Sequence, residues 1–187
     1  MSQRENVDKL LAEGFKELVL IEPIEKITIK EITDKAGVIR PTFYNHFQDK
    51  YELLEWILKE ELLSPIIPLL DGGFFKEGYT LIFTRLEKEK QFYTKAARLE
   101  GQNSFESIVH RCICDILLQF IVARVGEHAA FHNWLKPENV AHYYAQSMTF
   151  VVMNWIRTGM TLAPEEVAEV YIRILNSTMD DLLSSMK

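Results

Sequence analysis

Between residues 27 and 54 the chain gathers side chains whose types suit a nucleic acid. Arg40, Pro41, Thr42, Tyr44, Asn45 and His46 fall within seven consecutive positions. An arginine can pair with guanine and an asparagine with adenine, while a threonine methyl or a proline ring can touch the methyl of thymine. Tyrosine hydroxyls and lysine ammonium groups, such as those of Tyr44 and Lys50, suit phosphates. Such a set reads a duplex only if a rigid element presents it on one face.

The flanking residues describe such an element. Thr28-Ile29-Lys30-Glu31 fits a capping box, in which a hydroxyl and a Glu three positions on satisfy two backbone donors reciprocally. Residues 27–28 are thus a helix entrance, and Ile29, Ile32, Thr33 and Ala36 form the buried face of a helix over 29–36. Gly37 follows, where a left-handed backbone is cheap only for glycine, and Val38 is the apolar plug of the turn. A short helix over 40–46 comes next, with Pro41 in its first turn. Phe43 and Phe47, four apart, face inward, which turns Arg40, Pro41, Thr42, Tyr44, Asn45 and His46 outward or sideways. Asp49-Lys50-Tyr51-Glu52 opens another helix. Helix, glycine turn and short helix make a helix-turn-helix. The same periodicity would also build a plain three-helix bundle with no ligand.

Charge supports the reading locally. Residues 26–50 carry five cations and three acids, a net +2, whereas residues 1–63 carry nine and thirteen, a net −4, and the whole chain is −6. A head this weakly basic binds DNA without sequence preference only poorly and depends on geometry and dimerisation.

The run from 27 to 54 resembles the DNA-binding segment of TetR-family transcriptional regulators. Thr28 opens the second helix, Ala36-Gly37-Val38 forms the turn, and Thr42-x-Tyr44-x-x-Phe47 lies in the recognition helix, with Asp49-Lys50 and Leu53-Leu54 beyond it. The resemblance implies that Thr28 and Lys30 contact phosphates, that residues 40–45 enter the major groove, and that Tyr44, His46 and Lys50 meet the DNA backbone. Pro41 stands where many members carry Gly or Ala, and Phe43 where Leu is commoner. Residues 43–57 and 154–166 are also similar to the subgroup related to the dihydroxyacetone-kinase operon activator, some members of which sense a partner protein.

The remainder reads as helix. The first helix covers 3–21 and ends before Pro23. A helix over 50–63 is stopped by Ser64-Pro65, and residues 65–73 form a joint. Longer helices follow at 75–87, 89–100, 104–125, 137–159 and 164–185. The expected fold is all-α: an N-terminal three-helix DNA-binding domain, 1–48, and a larger C-terminal bundle, 49–187, for dimerisation and effector sensing. The helix over 137–159 is apolar nearly all round. Together with 164–185 it supplies a two-fold interface through Tyr143, Phe150, Val151, Trp155, Val170, Tyr171, Ile174 and Thr178. An effector pocket is expected among Phe83, Phe92, Tyr93, Phe105, His110, Cys114, Phe120 and Tyr144, although aromatic residues at helical spacing also serve simply as core.

Other chemistries find less support. His128 and His132, and His110 and Cys114, are four apart, but no Glu follows the first His in the protease pattern, and Gly126 and Asn133 suggest a loop. Neither a metal nor a cofactor is expected. No nucleophile elbow, phosphate-binding loop or dinucleotide-binding glycine pattern occurs, so an enzyme is not expected. Cys112 and Cys114, two apart on one helix, are not placed to bridge, which suits a reducing, cytoplasmic setting. The polar N-terminus carries no secretory pattern. The longest nearly unbroken apolar stretch, 148–156, is far short of the roughly 20 residues of a membrane span. The expected partners are duplex DNA, a second copy of the chain, and an effector that is a small molecule or a protein. An all-α interaction module that binds no DNA is the reading from another class.

Overall fold

The computed structural model of the chain describes residues 3–126, 132 and 134–185. Among these the regular structure is entirely helical: α1 (Gln3–Val19), α2 (Ile29–Ala36), α3 (Arg40–His46), α4 (Lys50–Ile57), α5 (Ile67–Asp71), α6 (Phe75–Lys88), α7 (Lys90–Ala96), α8 (Phe105–Val125), α9 (Pro137–Arg157), α10 (Pro164–Asn176) and α11 (Met179–Ser185). A π-helical stretch, Leu58–Leu63, and a 3₁₀ turn, Ser64–Ile66, join α4 to α5. The all-α expectation holds.

Caps explain most of the boundaries. At α2 the Glu31 N–H donates to Thr28 Oγ1, and Thr28 N–H donates to Glu31 Oε2 at 2.8 Å. At its other end Gly37 adopts φ 69°, and the N–H groups of Gly37 and Val38 reach the carbonyls of Asp34 and Thr33, a Schellman closure. Asp49 caps α4 by accepting from the N–H groups of Tyr51 and Glu52. Two boundaries differ from expectation. The helix beginning at 164 breaks at Ser177, because Thr178 and Asp181 form a new cap: Thr178 N–H donates to Asp181 Oδ2 at 3.0 Å, and Asp181 N–H to Thr178 Oγ1. Ser64-Pro65 does not stop α4 but deforms it. Pro65 has no N–H for the Glu61 carbonyl four residues earlier. The helix widens, Ser64 N–H bonds to the Lys59 carbonyl five residues back, and Arg85 Nη1 donates to the orphaned Glu61 carbonyl at 2.6 Å.

The apolar core is continuous, running from Leu11 and Phe15 of α1 through Phe43, Leu53 and Leu54 to Phe83, Phe105, Trp155 and Tyr171. α1 packs on α2, α8 on α9, and α10 on α6. Gly14 lies where α1 meets α2: a Cβ there would sit 3.1 Å from Lys35 Cβ and 3.3 Å from the Ala36 nitrogen. No helix among the described residues is long and apolar enough to cross a membrane.

Candidate nucleic-acid interface and ligand cavity

α3 is seated by its aromatic side. Phe43 and Phe47 are buried with ring centroids 5.9 Å apart, and Phe47 meets Trp56 of α4 edge to face. Arg40, Pro41, Tyr44 and Asn45 are exposed on the opposite side, Tyr44 by 58%, and Thr42 is half-buried. Thr28 and Lys30 stand exposed at the start of α2. Lys35 pairs with Glu17 at 2.6 Å, while Lys26 and Arg40 have no ion pair among the described residues. Lys30 pairs with Asp34 at 3.8 Å, so the exposed face of α3 carries one unpaired cation, Arg40, with a phenol and an amide on a short helix.

Two side chains expected on this face turn the other way. His46 is half-buried, its Nδ1 2.6 Å from Asp8 Oδ1, and the pair ties the end of α3 to α1. The Lys50 ammonium donates to the carbonyls of Glu25 at 2.8 Å and Ile27 at 2.7 Å, two acceptors in the loop that enters α2. Burial lowers the Lys50 pKa from its ordinary value, against the pull of Glu25 and other acids. Both residues position the reading face and do not point out of it.

The larger part of the chain encloses an apolar cavity of about 90 Å³. One wall is the deformed helix, through Leu58, Leu62, Leu63 and Ile66. α6 contributes Phe75, Tyr79, Ile82 and Leu86, α8 contributes residues from Phe105 to Phe120, and Tyr144, Met148, Val152 and Tyr171 close it from α9 and α10. Of the eight residues expected here, Phe105, Phe120 and Tyr144 line it. Phe83, Phe92 and Tyr93 are buried elsewhere in the core, with Phe83 edge to face against Trp155. His110 lies in a separate polar cleft beside His142, ring centroids 4.6 Å apart. Cys114 turns away and Cys112, two residues earlier, lines the cavity instead. Burial pushes the Cys112 thiol up to about 12, so it is a small apolar liner and not a nucleophile. Most of the lining is aliphatic, and its spacing cannot be told from ordinary core.

The expected two-fold face divides as well. Tyr143, Phe150, Val170, Ile174 and Thr178 are exposed, and Val151 is half-buried. Trp155 and Tyr171, 3% and 2% exposed, point into the protomer, where Trp155 Nε1 donates to the Leu162 carbonyl and Tyr171 meets Ser147. His128 lies outside the described residues. His132 Nδ1 accepts from the Trp134 N–H. No group of three or more His, Cys, Asp or Glu able to hold a metal occurs among the described residues.

A helix-turn-helix with an exposed polar recognition helix, set on a helical body with an apolar cavity, is the architecture of a helix-turn-helix regulator. The family model described as bacterial regulatory proteins, tetR family, matches residues 18–57, and that described as transcriptional regulator C-terminal region matches residues 75–177, more than half of the chain. The chain belongs to the TetR family of transcriptional regulators. It is 31% identical over 87 residues to the HTH-type dhaKLM operon transcriptional activator DhaS of Lactococcus lactis, and the match spans 46% of each protein, so the chain covers under half the length of that relative. A structure of the dihydroxyacetone kinase operon activator DhaS superposes with a TM-score of 0.62 at 22% identity, covering 90% of this chain and 93% of that one. The Thermus thermophilus FadR repressor, solved in complex with lauroyl-CoA, gives 0.58 at 19% identity, covering 95% of both chains.

Proposed function

We propose that this regulator acts in the cytoplasm as a homodimer that reads an inverted repeat through α3 of each protomer. A small molecule in the cavity sets the distance between the two reading heads. We divide the chain functionally into a head, 1–48, and a body, 49–187, and assign it no enzymatic activity. The observation that carries the reading is the two-sidedness of α3: Phe43 and Phe47 are buried, and Arg40, Pro41, Tyr44 and Asn45 are free to enter a groove. A concave apolar cavity favours a small molecule over a protein as effector, because a protein partner recognises a surface. The acyl-CoA bound by FadR is a precedent within the fold.

Selection of duplexes from a random pool by the purified protein tests the proposal. An inverted repeat is expected, with half-sites about one helical turn, roughly 34–36 Å, apart. On that sequence Arg40→Ala removes about 1–3 kcal/mol of discrimination at one position of each half-site. Tyr44→Ala weakens binding to all sequences alike. A pool that remains random at low salt overturns the reading.

A further inference from the structure

The cavity is chemically uneven. No Lys, Arg, His, Asp or Glu side chain lines it, and its inner part, around Ile82, Leu86 and Phe105, is hydrocarbon. An ion placed there loses its hydration with no counter-charge in return, a penalty that apolar burial does not offset. At the other end stand three phenols, Tyr79, Tyr144 and Tyr171. Tyr79 and Tyr171 meet edge to face with centroids 5.1 Å apart. The Tyr171 hydroxyl already has Ser147 Oγ at 3.2 Å, whereas Tyr79 Oη has no hydrogen-bond partner among the described residues. Burial raises the Tyr79 pKa, so its hydroxyl stays neutral and remains a donor. Arg124 stacks on the Phe120 ring, 3.4 Å from its centroid, but does not line the cavity. Its guanidinium is engaged by the Asp71 carboxylate and by the carbonyls of Leu70 and Phe120. No free cation therefore awaits an anionic head.

We infer that the effector is a slender, uncharged molecule with an apolar body and one oxygen, the body lying in the hydrocarbon end and the oxygen accepting a hydrogen bond from the Tyr79 hydroxyl. This rests on the reading of the cavity as the effector site. The small volume excludes a bulky body, since an engineered apolar cavity of about 150 Å³ admits no more than a molecule such as benzene or xenon. Tyr79 is then the residue that sets specificity.

The test titrates the full chain at pH 8 with 1-butanol, 1-chlorobutane, butyrate and butylammonium, each competing with xenon followed by its NMR shift. Butanol should compete best, and the two ions should be weaker by about tenfold or more. Tyr79→Phe should weaken butanol by about three- to tenfold and leave 1-chlorobutane unchanged. Butyrate equal to butanol, or no competition from any of the four, overturns the ligand class. Leu117→Trp, which fills the cavity, tests the site separately once thermal denaturation shows that the variant folds. If it removes xenon binding, the cavity reading stands whatever the four competitors do. If xenon binding is unaltered in it, the cavity reading itself fails.

Discussion

Residue types announce chemistry, and geometry decides whom it serves. Arg40 and Asn45 are exposed as their types and phase suggest, because a polar residue out of register with Phe43 and Phe47 has nowhere to go but solvent. Lys50 could not be read the same way, since its partners are backbone carbonyls 23 and 25 residues earlier, and sequence does not mark a carbonyl left orphaned by a loop. Lys50→Met removes a charged donor from both. The expected result is a loss of stability of about 1–2 kcal/mol in urea denaturation, with the salt dependence of operator binding unchanged. A salt slope smaller by about one would instead place this ammonium on a phosphate.

At the scale of elements, what could be read was what local rules govern. The capping boxes, the glycine closure of α2 and the burial of α3 follow from residues no more than five apart. One feature depends on distant neighbours and left no such mark. Gly14 looks like a weak spot inside α1, where Ala would be better by about 0.5–1 kcal/mol. It is in fact the place where α1 and α2 come close, with Lys35 Cβ, the Ala36 nitrogen and the Ile32 carbonyl around the site of a side chain. Gly14→Ala gains propensity but pushes against backbone, at a cost of about 1–3 kcal/mol. The cost outweighs the gain, with a net loss of up to about 2.5 kcal/mol, and α2 and α3 are displaced. Operator affinity should therefore fall severalfold and the thermal midpoint by a few degrees, and a variant that binds its operator normally would show that α1 and α2 can separate freely.

The π-helical stretch, which Pro65 causes locally, lies between the cavity and α1, and on the proposed mechanism it connects the two halves. One side of it, Leu58, Leu62 and Leu63, lines the cavity. On the other side Glu61 holds Lys16 of α1 at 2.8 Å, and Lys16 also reaches Glu89 at 3.0 Å, at the junction of α6 and α7. A ligand that widens the cavity pushes on a wall bonded directly to the reading head. Lys16→Met cuts that link without touching either site. Ligand affinity and operator affinity measured separately should stay near their original values, while the factor by which ligand changes operator binding shrinks toward one. An undiminished factor would send the coupling through α4 alone.

The whole molecule must solve a problem of charge. With −6 overall and only +2 around the recognition helix, one head would hold DNA weakly, which is why the proposed reading joins two heads. Tyr143 and Phe150 on α9 are 69% and 67% exposed, and Val170 and Ile174 on α10 are about half exposed. Such an apolar face suits a second copy, and α9 and α10 with their mates would form a four-helix interface. Sequence indicated these helices but not their facing sides, because α9 is apolar both toward its own core, at Trp155, and on its exposed side, at Phe150. In a two-fold interface every substitution occurs twice. Phe150→Glu therefore sets two carboxylates into one apolar contact, where neither finds a counter-charge. Sedimentation should show a monomer of unchanged helix content that still binds cavity ligands. Operator affinity should fall by about 10²- to 10⁴-fold, the gain that linking two half-site contacts provides. A Phe150→Glu protein that remains dimeric would put the two-fold axis on another face, and the spacing of the two recognition helices would have to be derived anew from there.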